Sequence, residues 1–223
     1  MNFNFDINEA TPLCEIMGRN NSDKGSINIK AGWHNYTTFY YSIFKDMRDK
    51  ELRIFELGIG TNNPNLPSTM GINGRPGASL YGWCEFFYNS KIFGADIDKD
   101  ILFDTDRIKT FYCDQRNPTI IRDMFNDEIL KENFDIIIED GLHELSANIC
   151  FFENSIHKLK SNGYYIIEDI NHYNLDKFSK IIDEWKKIYK DCIFTIIELP
   201  SYTNNFNKYG ANCDNNLLVV YKK

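Results

Sequence analysis

The chain has 223 residues, 43% of them hydrophobic and 26% charged, with a formal net charge of −7 and a pI near 5.2. That size and composition fit one globular unit that buries a core without disulfide or metal staples. The acidic excess argues against phosphate backbones and anionic membrane surfaces as partners, so neither nucleic acid nor membrane is expected.

The N-terminus has neither a basic stretch nor an apolar one, and no apolar run approaches the ~20 residues of a membrane span. A cytoplasmic location is expected. The six cysteines, Cys14, Cys84, Cys113, Cys150, Cys192 and Cys213, form no C-x-x-C pair. Reduced, buried side chains are the expected state.

Residues 1–50 predict a mostly helical cap. Five short apolar runs follow, at 53–58, 91–96, 110–114, 134–140 and 163–169, and each closes on an acid or a glycine. Runs this short and this apolar read as strands covered on both faces. Between and after them, 79–88, 118–130, 146–159 and 175–189 predict helices; the last carries Phe178, Ile181, Ile182, Trp185 and Ile188 at helical spacing. Two more runs, 192–197 and 217–221, are joined by the polar stretch 200–216 and predict a closing antiparallel hairpin. The alternation predicts an α/β fold: a Rossmann-like, seven-stranded, mostly parallel sheet with helices on both faces and an antiparallel last strand.

In such a sheet the ligand lies beyond the carboxyl ends of the strands. There the sequence places Glu56, Gly58 and Gly60, then Asp96, Asp114, Glu139 with Asp140, and Glu168 with Asp169. One such acid commonly caps a helix. Five strand ends in register read as one polar site. The glycine loop is G-x-G with Asn63 at the third glycine position, and no helix follows at once through 61–77. This disfavours a dinucleotide and favours a nucleoside without phosphate. Gly58 and Gly60 would admit its backbone approach, Asp96 would accept from ribose hydroxyls, and Asp114 from an adenine amino group.

Asp140, Glu168 and Asp169 form a set of hard oxygen donors that suits Mg²⁺, Mn²⁺ or Ca²⁺, since clustered acids need a compensating charge. The alternative is that Glu168 or Asp169 merely caps the next helix. Glu139 is the weakest member and is expected to turn toward the cofactor. His143, three residues after Asp140, reads by itself as a surface histidine in the first turn of a helix. His172, three residues after Asp169, is its rival as a base. His157 reads as a solvated helix-end residue. His34 and Tyr36 either line an acceptor pocket or pack the cap on the sheet.

The E-x-G-x-G at 56–60, the acids after the second and third strands and the antiparallel final strand resemble the class I S-adenosylmethionine-dependent methyltransferases over roughly 50–223. A narrower resemblance runs along nearly the whole chain. Asp23-Lys24-Gly25, His34-Asn35-Tyr36-Thr37 and Tyr40 resemble the N-terminal signature of the metal-dependent sugar O-methyltransferases that act on macrolides. Glu139-Asp140-Gly141-Leu142-His143 is similar to their D-D-G-S-H, and Glu168-Asp169 to the end of their G-G-x-x-V-I-E-D. Ser79-Leu80 with Trp83 resembles their step after the glycine loop. Glu139 in place of Asp, Leu142 in place of Ser and the long 61–77 loop depart from the pattern.

The resemblance implies an S-adenosylmethionine-binding domain over 51–223, with 1–50 forming part of the acceptor site. Its expected cofactor contacts are Glu56, Gly58, Gly60, Ser79, Asp96, Asp114, Gln115 and Glu139. Asp140, Glu168 and Asp169 would hold Mg²⁺ or another divalent cation. His143 would act with Asp140 in catalysis, and His34, Tyr36 and His172 would meet the acceptor. The expected activity is O-methylation of a small-molecule sugar by a homo-oligomer, with S-adenosylhomocysteine as product. The alternatives are methylation of a catechol or another vicinal diol, and a non-catalytic nucleotide- or sugar-binding protein.

Overall fold

A computed structural model describes residues 3–6, 9–25, 34–199 and 214–223. Two N-terminal helices, α1 (Pro12–Arg19) and α2 (Tyr36–Phe44), precede the first strand. The strands are β1 (Arg53–Leu57), β2 (Lys91–Asp96), β3 (Ile108–Tyr112), β4 (Phe134–Glu139), β5 (Leu159–Ile170), β6 (Cys192–Glu198) and β7 (Asn216–Lys222). Four further helices connect or flank them: α3 (Ala78–Phe86), α4 (Pro118–Phe125), α5 (Leu145–Ser155) and α6 (Leu175–Ile188).

The sheet order is β3-β2-β1-β4-β5-β7-β6. Strands β1 to β5 run parallel, and β7 pairs antiparallel with both β5 and β6. The seven-stranded sheet and its antiparallel last strand therefore match the expectation from the sequence. Most of the stretch 200–216 that joins β6 to β7 lies outside the described residues.

The apolar runs alternate between two cores with the two-residue period of a strand. Phe55, Phe93 and Ile137 face α4, α5 and α6; Ile54, Ile92, Ile136 and Ile138 face α1, α2 and α3. The N-terminal helices thus form part of one layer of the sheet's own core. Local signals set their ends. Thr11 caps α1 by accepting the Cys14 N–H at 3.3 Å ahead of Pro12, and Asn117 caps α4 in the same way ahead of Pro118. Helix α4 stops at Phe125, short of the expected 130, because the chain tightens there into three-residue turns: the Asp127 N–H closes on Met124 O at 3.1 Å and the Leu130 N–H on Asp127 O at 3.0 Å, which brings Leu130 into the core.

The strand order reverses between β1 and β4, which opens a crevice at their carboxyl ends. The ladder continues past both strands, with Gly58 N–H donating to Ala95 O at 2.8 Å and Asp140 N–H to Leu57 O at 2.9 Å. Gly58 has φ +82°, and a Cβ built there would lie 1.8 Å from the Asp140 carbonyl oxygen. Only glycine fits this left-handed, crowded position.

Candidate functional site

A cavity of about 680 Å³ covers this crevice. Gly58, Gly60, Ser79, Asp96, Asp114 and Gln115 line one part of it, and Asp140, His143, Asp169 and His34 another. Glu56, Glu139, Glu168 and Tyr36 are buried behind that lining. His172 lies in a short exposed turn and does not line the cavity.

On the glycine-loop side, Asp96 accepts the Ile59 N–H and the Asp98 N–H, each at 2.9 Å. Burial raises its pKa, and the amides only partly offset the rise. Asp114 is held by Arg116, whose Nε donates to Oδ1 at 3.1 Å and keeps the carboxyl below its ordinary range. Glu56 accepts from Ser79 Oγ at 2.6 Å and Trp83 Nε1 at 2.5 Å. Gln115 spends both ends on the 139–142 loop: Nε2 donates to Glu139 at 3.0 Å and Oε1 accepts the Leu142 N–H at 2.7 Å. Glu139 is also held by Asn148 and by the Gly141 N–H. Glu56, Gln115 and Glu139 therefore shape the loops, and the first and last of them do so from behind the cavity wall.

On the other side, one donor atom each from Asp140, His143 and Asp169 lies within 4.8 Å of the others. His143 Nε2 is 2.9 Å from Asp169 Oδ2 and 3.3 Å from Asp140 Oδ1. Two carboxylates and an imidazole at this spacing fit a hard or borderline divalent cation. His34, Asp169 and Asp214 form a second such group around the same Asp169. His34 stacks on Tyr36 with ring centroids 4.7 Å apart and places Nε2 3.4 Å from Asp169 Oδ1.

His143 does not use helical spacing to reach Asp140. Helix α5 starts at Leu145, and His143 has φ +59° in the loop before it. Asp169 is also left-handed, with φ +54°. Such a backbone costs a non-glycine residue about 1 kcal/mol, so surrounding contacts must hold it. Tyr36 supplies them at Asp169: its hydroxyl donates to Oδ1 at 2.5 Å and accepts the backbone N–H at 3.2 Å.

Glu168 does not join the Asp140–His143–Asp169 group. It is paired with Tyr40 and Lys24 instead. Lys24 is 1% exposed, and its Nζ lies 2.5 Å from Asp140 Oδ2 and 3.5 Å from Glu56 Oε1 besides its contact with Glu168. Burial works against this ammonium, but Asp140, Glu168 and Glu56 outweigh it and hold its pKa well above the ordinary value. Burial likewise pushes Glu168 well up, with Lys24 opposing. The clustered acids therefore have an internal counter-charge that sequence reasoning missed. Lys24 stands in the Asp23-Lys24-Gly25 motif, yet nothing in that tripeptide announces burial. The Tyr36/Tyr40 pair did carry a signal, since residues four apart share a helix face.

The sheet order, the glycine turn at the β1–β4 crevice and the acid closing β2 define the class I S-adenosylmethionine-dependent methyltransferase fold. Its homologues among curated proteins are sugar O-methyltransferases. It is 30% identical over 161 residues to 8-demethyl-8-(2-methoxy-alpha-L-rhamnosyl)-tetracenomycin-C 3'-O-methyltransferase of Streptomyces olivaceus, an alignment covering 71% of this chain and 36% of that protein. It is 33% identical over 165 residues to L-olivosyl-oleandolide 3-O-methyltransferase of Streptomyces antibioticus, covering 73% of this chain and 38% of that one. The chain spans about a third of the length of the curated relatives it matches. No protein-family model matches it. Among solved structures, MycE methyltransferase from the mycinamycin biosynthetic pathway in complex with Mg and SAH superposes with a TM-score of 0.66 at 23% identity, covering 96% of this chain and 55% of that one. MycE with Mg, SAH and mycinamycin VI gives a TM-score of 0.68 at 20% identity, with the same coverage.

Proposed function

We propose that this chain is an S-adenosylmethionine-dependent, divalent-cation-dependent O-methyltransferase that acts on a sugar hydroxyl and releases S-adenosylhomocysteine. One observation carries the reading. The nucleoside-admitting residues Gly58, Gly60 and Asp96 share a single cavity with the Asp140–His143–Asp169 cluster. The sugar acceptors in the names of the homologues, and the Mg and SAH in the MycE complexes, support it.

S-Adenosylmethionine supplies the methyl group as a sulfonium, and a divalent cation at Asp140 and Asp169 supplies the Lewis acidity that lowers the pKa of a hydroxyl. The chain's own residues position and deprotonate. Gly58 and Gly60 let the nucleoside approach the backbone, and Asp96 accepts from its ribose. His143 takes the proton of the acceptor hydroxyl. Burial works to lower its pKa, but Asp169 and Asp140 outweigh it and hold it well above the ordinary value. A cation held by the same two carboxylates would offset their pull and favour the neutral, basic imidazole. His143 is favoured over His172 as the base because His172 is outside the cavity.

Segment 1–50 belongs to the acceptor side in this reading, since Asn21, Ser22, Asp23 and His34 all line the cavity. Residues 51–223 carry the cofactor site. The five described cysteines are free thiols, and a cytoplasmic location is part of this proposal. Among the described residues no helix is long and apolar enough to cross a membrane. Family resemblance supports a homo-oligomer, which light scattering on the purified protein tests.

The deciding assay is methyl transfer from S-adenosylmethionine to a panel of free and nucleotide-linked sugars, with and without EDTA. Activity on sugars that EDTA abolishes and that Asp140→Asn reduces at least a hundredfold is the expected result. Full activity in EDTA removes the cation. Transfer to catechols alone changes the acceptor class, and no calorimetric binding of either S-adenosylmethionine or S-adenosylhomocysteine favours the non-catalytic alternative.

A further inference from the structure

The ammonium of Lys24 reaches carboxylates from three adjacent central strands: Glu56 on β1, Asp140 just past β4 and Glu168 on β5. It comes from outside the sheet, from the turn after α1. Its backbone carbonyl accepts the Thr37 N–H at 3.2 Å, which ties that turn to the first turn of α2. The same helix sends Tyr40 to the other oxygen of Glu168. Glu56 and Glu168 are themselves 0% and 1% exposed. Buried carboxylates this close repel one another and lose their hydration, and a lone removal of the paired charge leaves them uncompensated.

We propose that Lys24 is a positioning residue that acts as the resident counter-cation of the acid cluster. It pairs with Asp140 through Oδ2 and leaves Oδ1 to His143, and it sets how much negative charge is left to attract a divalent ion. The part of this inference that concerns the ion rests on the cation-dependent reading above; the part that concerns Lys24 and the acids does not. Lys24 satisfies one side of Asp140 through Oδ2, while Oδ1 faces His143. The cluster then keeps a folded arrangement without an ion, and its ion affinity is moderated by a fixed positive charge at hydrogen-bond distance from one of the donor residues. Glu168, whose oxygens meet Lys24 and Tyr40, serves as the partner that locates the ammonium.

The test is a double-mutant cycle on the EDTA-treated full chain, read by thermal unfolding, with Lys24→Met, Glu168→Gln and the pair. Lys24→Met is expected to lower Tm by roughly 6 °C or more, because it strands buried carboxylates. Adding Glu168→Gln is expected to recover at least half of that loss, since it removes charge while still accepting from Tyr40. A lysine that serves only as packing gives no such recovery. Lys24→Met that fails to fold while the double variant folds is the same result in extreme form. A double variant no more stable than Lys24→Met, or equally unfolded, overturns the proposal.

Calorimetric titration with Mn²⁺ is the second readout. Lys24→Met/Glu168→Gln isolates the stability effect, while Lys24→Met itself is expected to bind Mn²⁺ at least tenfold more tightly than wild type. Unchanged or weaker binding by Lys24→Met overturns the moderating role. Wild type that binds no Mn²⁺ and methylates fully in EDTA removes the cation reading instead, and the recovery in the cycle then decides for or against Lys24 by itself.

Discussion

The Tyr36 hydroxyl donates to Asp169 Oδ1 at 2.5 Å and accepts the Asp169 backbone N–H at 3.2 Å, across 133 positions of sequence. One phenol from α2 thus fixes both the side chain and the left-handed backbone of the acid at the end of β5. Tyr36→Phe removes a buried donor from a buried carboxylate and leaves the amide unpaired. We expect a loss of about 1–3 kcal/mol in urea unfolding, and weaker Mn²⁺ binding because Asp169 is no longer held.

Gly58→Ala tests the crevice between β1 and β4. The added Cβ would meet the Asp140 carbonyl at 1.8 Å, at a φ of +82°. Backbone must move on one side or the other, and either movement displaces Asp140. Loss of more than about 3 kcal/mol of stability is expected, together with loss of S-adenosylhomocysteine binding in calorimetry. Wild-type affinity in this variant would show that the nucleoside does not approach here.

Asp96→Asn keeps the size of the side chain and removes its charge. The carboxylate already accepts the Ile59 and Asp98 amides, so Asn can satisfy only part of that set. S-Adenosylhomocysteine is expected to bind about 10- to 100-fold more weakly, since hydrogen bonds to a charged group are worth roughly 1.5–3 kcal/mol. A change smaller than threefold would remove Asp96 from the cofactor site.

The His143–Asp169 pair predicts a pH window for stability in EDTA. Burial would raise Asp169, but His34 and His143 outweigh it and hold its pKa well below the ordinary 3.8. Its contribution is therefore present above that value and is lost as pH falls through the depressed one. His143 is held well above its ordinary 6.5, so its contribution is full below 6.5 and fades as pH rises through the raised value. The two overlap between the ordinary values of the two groups. There His143→Gln should cost about 1–2 kcal/mol, and the cost should shrink toward alkaline pH. Unfolding curves of both proteins across pH, with the His143 ring followed by NMR, check it; a cost independent of pH would refute the ion pair.

Much of this molecule was legible from local pattern. The runs at 53–58, 91–96 and 134–140 became β1, β2 and β4 within a residue, because a strand covered on both faces must be apolar throughout. Leu175–Ile188 was legible because its buried face repeats with the helical period. Less visible were the ends that tertiary contacts decide. Strand β5 starts at Leu159, ahead of the expected 163, because Leu159 already pairs with Phe134 of β4 before a register shift that leads to Tyr164 opposite Ile136. His143 was placed on a helix by its spacing from Asp140, whereas Gln115, 27 positions away, pins the Leu142 amide and keeps that loop unwound.

The sequence by itself determined the alternation of strands and helices, the glycine turn after β1 and the set of acids at the strand ends. Each of these depends on neighbours a few positions away, through side-chain period, backbone freedom and capping. Which acids share a partner was decided only in three dimensions. Asp140 and Asp169 meet at His143, while Glu56 and Glu168 turn to a lysine 32 and 144 positions distant. Charge acts through space and desolvation depends on everything packed around a group, so no local pattern could show that Glu56 and Glu168 turn to Lys24, that Asp169 turns to His143, and that Asp140 is shared between the two.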